Sequence, residues 1–157
     1  MEKAKEYPKE VIASIAEDID AGMICFLNTD TMEHVILMGK SYYSYWEEDD
    51  EVNDEYRKGV LDKVDTWKHY IQIDPPESGQ SFNIMERFIE HCIPDNDSIK
   101  NRLWNAISRH KPFQNFKFII DNSEYRQNWF DFKQSQLEEL VSEQLSYNPK
   151  SSIDLLS

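Results

Sequence analysis

The sequence predicts an α+β fold: a small antiparallel β-sheet of about three strands packed against several helices, with a helical C-terminal half. Three observations carry that expectation. Apolar residues recur every three or four positions near the N-terminus and again from about residue 81 onward, the period of amphipathic helices. Between these stretches lie short runs rich in β-branched and aromatic residues, separated by turn chemistry. The 157 residues are 39% hydrophobic and 13% aromatic, enough for a substantial core within one domain.

Val11, Ile12, Ile15, Ala16 and Ile19 form one apolar stripe and predict a helix over residues 8–20, with Gly22 as its C-terminal cap. Residues 23–27 and 34–38 read as the strands of a hairpin, because Asn28-Thr29-Asp30-Thr31 between them tolerates a tight backbone. Residues 39–46 form a loop carrying Tyr42, Tyr43, Tyr45 and Trp46. Val52, Tyr56, Val60 and Val64 step by four, so a helix is expected over 52–64, its acidic start complementing the helix dipole. Trp67, His69, Ile71 and Ile73 alternate with Lys68, Tyr70, Gln72 and Asp74, the period of a third strand, which Pro75-Pro76 ends.

The remainder reads as helical. A helix starting near Ser81 presents Phe82, Met85, Phe88, Ile89 and Cys92 and stops at Pro94. Asp97 or Ser98 caps the next, with Ile99, Leu103, Trp104 and Ile107 inward. Pro112 opens a short helix with Phe113, Phe116 and Ile119. Ser123 caps a last helix over 124–146, with Tyr125, Trp129, Phe130, Leu137, Leu140, Val141 and Leu145. Residues 1–148 are expected as a single domain and residues 149–157 as a flexible tail.

Charge narrows the classes of function. Lys and Arg number 17 against 30 Asp and Glu, a formal net charge of -13, and mean hydropathy is -0.72. Residues 1–50 carry net -8, 51–100 net -5 and 101–157 zero. Such a field repels nucleic acid and anionic lipid and favours basic partners. Two cysteines, Cys25 and Cys92, are too few for a disulfide scaffold and sit among apolar neighbours, as buried thiols do. The N-terminus lacks the apolar core of a signal peptide, and no apolar run reaches the roughly 18 residues of a membrane span. A cytoplasmic location is therefore expected, with no membrane contact.

No motif assigns catalysis. The histidines His34, His69, His91 and His110 have no metal-ligand spacing, there is no Cys-x-x-Cys, and the four glycines are isolated at 22, 39, 59 and 79, so they build no phosphate cradle. No Gly-x-Ser-x-Gly elbow is present, and Cys25 lies inside an apolar strand. No cofactor, no metal and no catalytic residue is expected.

Two surfaces remain. Residues 47–55 hold seven acids in nine positions, with Glu47, Glu48, Asp49 and Asp50 at their head, and suit a basic partner. From Ser98 to Ile120 there is no acid at all, while Lys100, Arg102, Arg109, Lys111 and Lys117 are basic. Arg109-His110-Lys111 falls where one helix ends and the next begins, close to free N–H groups that suit an anion.

The order of these pieces is similar to a known group. Met23-Ile24-Cys25-Phe26-Leu27-Asn28, Ser81-Phe82-x-Ile84-Met85-x-x-Phe88, Arg109-His110-Lys111-Pro112-Phe113-x-x-Phe116-Lys117 and Tyr125-Arg126-x-x-Trp129-Phe130-x-Phe132-Lys133 together resemble the bacterial uncharacterised protein family 158. The likeness runs from about Ile12 to Leu145. It implies a bacterial cytoplasmic protein and carries no catalytic role. Of the matching positions, Phe82, Phe113, Phe116, Trp129 and Phe130 read as core, whereas core packing does not require Arg109, Lys111 and Lys117.

The expected function is a non-enzymatic acidic protein-binding module, of adaptor, inhibitor or immunity-like kind, steering a basic partner by charge. The alternative is an anionic-ligand or nucleic-acid site across 100–117, where Trp104, Phe113 and Phe116 interleave with the cations.

Overall fold

A computed structural model describes residues 6–38 and 50–146, apart from the side chains of 50–54. The loop at 39–46, Glu47, Glu48, Asp49 and the tail 149–157 lie outside the described residues. The order of elements is α1 (Lys9–Asp20), β1 (Met23–Asn28), β2 (His34–Met38), α2 (Asp50–Asp65), β3 (Tyr70–Ile73), α3 (Ser78–Cys92), α4 (Ser98–Ile107), α5 (Pro112–Asp121) and α6 (Arg126–Leu145). This is the expected α+β class with a helical C-terminal half. The contacts gather into two compact units, one made of the residues up to Pro75 with those from Leu137 onward, the other of Pro76–Gln136.

In the first unit the sheet order is β2-β1-β3, and both pairings are antiparallel. The register sets Cys25 opposite Ile36 and Ile73, and Leu27 opposite His34 and Ile71. That face buries Cys25, Leu27, Ile71 and Ile73. Nε2 of His34, on the same face, lies 3.4 Å from Ser14 Oγ and 3.7 Å from Asp18, which ties α1 to it. The opposite face buries Phe26, Leu37 and Tyr70 with Val64 of α2 and Trp67. Both faces are therefore covered, which is why the central strand reads as an unbroken apolar run.

The turns follow from side-chain chemistry. Gly22, at φ 85, closes α1 in the left-handed region, and its N–H donates to Ile19 O at 3.0 Å. Asn28 Oδ1 accepts from the N–H groups of Asp30 and Thr31, at 2.9 and 3.2 Å, and builds the hairpin turn. Tyr56 donates its hydroxyl to Ile36 O on edge strand β2 at 2.9 Å. Gln144 of α6 brackets Asp74, accepting its N–H at 2.9 Å and donating to its carbonyl at 3.3 Å. The third strand is shorter than its alternating sequence suggests, and Tyr70 is buried along with Ile71 and Ile73, because a sheet covered on both faces buries both sets.

The second unit is helical. α3 begins at Ser78, before Ser81, because Glu77 and Gln80 close a capping box, Glu77 N–H donating to Gln80 Oε1 at 2.9 Å. Ile93 is extended, as a residue before proline must be, and Pro94 ends the helix. Asp97 caps α4, accepting from Ile99 N–H at 3.0 Å and from the Tyr125 hydroxyl at 2.6 Å. Ser123 accepts from Tyr125 N–H, and α6 starts at Arg126.

The core of this unit is aromatic. Phe88 of α3, fully buried, meets Phe116 of α5 at 6.3 Å and Trp129 and Phe132 of α6 at 5.2 and 5.6 Å between ring centroids. Phe116 meets Trp129 edge-on at 4.7 Å. Two rings expected in the core lie outside it: Phe113 is 43% exposed and Phe130 41%. Phe130 instead carries Arg126 and Lys133 over its ring, each at 5.4 Å, so its exposed surface is shared with two cations.

Two outcomes follow. Phe88→Ala leaves a cavity among three rings and is expected to lower stability by about 3–5 kcal/mol in urea unfolding, against less than about 0.5 kcal/mol for the exposed Phe118→Ala. The Tyr125 hydroxyl, and secondly Ile99 N–H, hold the Asp97 carboxyl below its ordinary value of 3.8. The folded state thus resists protonation more than the unfolded chain, and this contribution is present above about pH 3.8 and lost as pH falls further. Asp97→Asn keeps an acceptor oxygen, so thermal unfolding followed into the acid range should show a shallower acid decline; a decline parallel to the unaltered chain would disprove the linkage.

Candidate functional site

α4, the connector after it and α5 form the site. Ile99, Leu103 and Ile107 face the core, so Arg102, Asn105 and Arg109 fall on the outer side, with Ala106 at the margin. Ser108 stays in the αR region at the end of α4, and Lys111, at φ 58, reverses the chain before Pro112 opens α5. Asn115 clamps this turn: its Nδ2 donates to Ala106 O at 3.1 Å, which also accepts from Arg109 N–H at 3.5 Å, and to His110 O at 2.9 Å. On α5, Phe116 and Ile120 point inward. Phe118 lies about 200° around the helix from Phe116 and is 71% exposed.

These elements enclose an open cleft of about 680 Å³. α4 and the connector supply Arg102, Asn105, Ala106, Arg109 and His110, and α5 supplies Asn115, Phe118 and Ile119. A smaller lobe of about 290 Å³ shares Arg102, Phe118 and Ile119 and extends to Asp97, Glu124 and Tyr125. No acid lines the larger lobe. Among the described residues neither Arg102 nor Arg109 has an ion-pair partner. The cleft thus offers two exposed guanidinium groups beside an apolar wall, and Arg102 also borders the smaller lobe that Asp97 and Glu124 line.

The candidate cations of the sequence separate into three situations. Arg102 and Arg109 come together in the cleft. Lys111 and Lys117 are exposed but do not line it. Lys100 is a correction: it is 8% exposed and faces inward, where its Nζ donates to Glu90 O at 3.1 Å and Ile93 O at 3.2 Å and pairs with Asp95. Pro94 stops α3 and leaves those carbonyls without helical partners, and the ammonium takes them. It is not available to a ligand. Asp50 is the first residue of α2.

The sequence pattern singles out neither Phe118 nor Asn115. The signal for Phe118 was its place two residues after the inward Phe116; an amide that binds carbonyls across a turn leaves no pattern.

Other reactive groups are accounted for. Burial pushes the Cys25 thiol up to about 12 and raises Cys92, so both keep their protons. The hydrogen bond to Asp97 first, then burial, pushes Tyr125 up to about 12. Ser14 and Asp18 meet the same nitrogen of His34, whereas a proton relay needs opposite ring nitrogens. Among the described residues no group of three or more His, Cys, Asp or Glu is placed to hold a metal, and no helix is long and apolar enough to cross a membrane.

The assignment of Lys100 is directly testable. Lys100→Met keeps the apolar stem but orphans two backbone carbonyls, and should cost about 1–3 kcal/mol in chemical unfolding. Arg102→Gln and Arg109→Gln should each change stability by less than about 0.5 kcal/mol.

No curated protein and no solved structure matches the chain. A family model does, over residues 26–153, which run from within β1 through α6 and include every residue of the cleft. The chain belongs to the uncharacterised protein family UPF0158.

Proposed function

We propose that this protein is a non-enzymatic protein-binding module whose partner docks an acidic, partly apolar surface on the α4–α5 cleft. One observation carries the reading: Arg102 and Arg109 stand without ion-pair partners among the described residues, beside the 71% exposed ring of Phe118, in a chain of net charge -13. Acids are abundant in this chain, yet none lines the larger lobe. Arginine beside an exposed aromatic ring is the composition of energetic centres in protein interfaces.

The mixed lining favours a protein over a free phosphate, which gains nothing from Phe118, Ile119 and Ala106. Two free thiols and the family resemblance support work in a bacterial cytoplasm. An adaptor, inhibitor or immunity-like protein fits this description. A second reading is a basic partner steered by the acidic residues 47–55, favoured by their seven acids in nine positions.

The test is affinity capture from the cell of origin at low and high salt, with protein identification and nucleic-acid absorbance. The unaltered chain is compared with the pairs Arg102→Gln/Arg109→Gln and Lys111→Gln/Lys117→Gln. An acidic protein held by the unaltered chain and the lysine pair, but lost from the arginine pair and at high salt, is expected. A basic protein held equally by all three would move the interface to residues 47–55. Nucleic acid lost from the arginine pair would replace the protein partner.

A further inference from the structure

We infer that the surface docked on the cleft is bipolar, with a carboxylate for the Arg109 end, a bulky apolar residue against Phe118, and a cation for the Glu124 end. This rests on the reading that the cleft takes an acidic, partly apolar protein surface, and it gives that surface an order of charges.

The course of charge along the cleft is the first ground. The larger lobe takes Ala106 from the last turn of α4, Arg109 from the connector and Asn115 from the first half of α5. The smaller lobe takes Ile99 from the first turn of α4 and Asn122 from just past α5, with Asp97 and Glu124 beside them. Ile99 and Ala106 lie in one helix, about 10.5 Å apart along its axis. The lobes are therefore two ends of one cleft. The end by the connector carries Arg109, and the far end carries two carboxylates. Arg102, Phe118 and Ile119 border both lobes and so stand between these ends.

Unanswered charge is the second ground. Among the described residues neither Asp97 nor Glu124 has an ion-pair partner. Arg126, close by in sequence, pairs with Asp121 at 3.7 Å. Asp97 accepts from Ile99 N–H and from the Tyr125 hydroxyl. Both donors are neutral, so its negative charge remains. Glu124 is exposed and lines the lobe beside it. A cation brought to this end meets two carboxylates, as a carboxylate brought to the other end meets Arg109.

Discrimination is the third ground. The ring of Phe118, 71% exposed, belongs to both lobes, so an apolar residue packed on it sits between the two charged ends. A surface with acids on both sides of that residue sets like charge against Asp97 and Glu124. A bipolar surface gains at both ends and is held in one orientation. Such opposed potentials select partner and register more than they add affinity.

Two labelled peptides with blocked ends test this against the full chain by fluorescence anisotropy at physiological salt, where the field of the whole molecule is screened. Both have an Ala-Leu-Leu-Ala centre, which extends to about 13 Å and so reaches from lobe to lobe. One carries Glu-Glu on one side and Lys-Lys on the other; the second carries Glu-Glu on both sides. The bipolar peptide should bind about three- to fivefold tighter. Glu124→Gln should remove that preference by weakening the bipolar peptide alone. Glu139→Gln changes the net charge equally, at an exposed position that lines neither lobe, and should leave the preference intact. Arg109→Gln should weaken both peptides about threefold. All three altered side chains are exposed, so circular dichroism and melting curves should match the unaltered chain. Equal or tighter binding of the acidic peptide, or a preference that survives Glu124→Gln, with loss in Arg109→Gln, would overturn the bipolar order while leaving the acidic-surface reading in place. Binding of neither peptide, or undiminished binding by Arg109→Gln, would overturn both. A single-stranded oligonucleotide that binds tighter than the bipolar peptide and displaces it would overturn the protein ligand.

Discussion

Everything in the helical unit is oriented by the ring of Phe88. It is fully buried and touches Phe116, Trp129 and Phe132, so it fixes which face of α5 and of the first part of α6 turns inward. With Phe116 held in the core, helix geometry sends Phe118 outward, and Asn115 and Ile119 flank it. With Leu103 and Ile107 held in the same core, Arg102, Asn105 and Arg109 must line the other side of the cleft. The candidate site is thus the outer consequence of an aromatic core.

Orientation alone would not hold the site still. α4 and α5 have ten residues each, too few to be stable as isolated helices. Their ends are closed by side chains. Asp97 takes Ile99 N–H and the Tyr125 hydroxyl at the start of α4, and Asn115 takes the carbonyls at its end. Lys100 reaches back from α4 to the last carbonyls of α3. One basic stretch therefore divides its labour, with Lys100 sealing backbone and Arg102 and Arg109 facing water. Helix phase turns Lys100 and Arg102 to different sides of α4, and the carbonyls of Glu90 and Ile93 take the one that reaches them.

The same phase explains what could be read from the sequence. Local chemistry announced itself: Asp97 as a cap, Pro112 as a helix start, Gly22 after α1, and Asn28 to Thr31 as a turn. So did strong periodicity, as at Ile99, Leu103 and Ile107. What escaped depended on partners distant in sequence. Tyr70 is buried because α2 covers the sheet face that the alternation at 67–74 does not reveal. Phe113 and Phe130 lie on apolar stripes but outside the packed rings, and Phe130 is satisfied by cations one turn away on either side. The basic run at 98–120 was visible as charge. Only the positions of the α3 carbonyls separate Lys100 from its neighbours, and no sequence pattern encodes them.

A chain of net charge -13 offering a cationic cleft is not a contradiction. Charge at the surface is screened within about 8 Å at physiological ionic strength, so a docked partner senses the groups lining the cleft more than the sum over the molecule. The excess acid lies in residues 1–100, and residues 101–157, which contribute most of the cleft, sum to zero. At long range the field slows every polyanion alike. At contact, the arginines reward an acidic surface that is also apolar, because such a surface pairs with both the guanidinium groups and Phe118. The two scales together leave room for an acidic protein face that brings both the charge and an apolar complement.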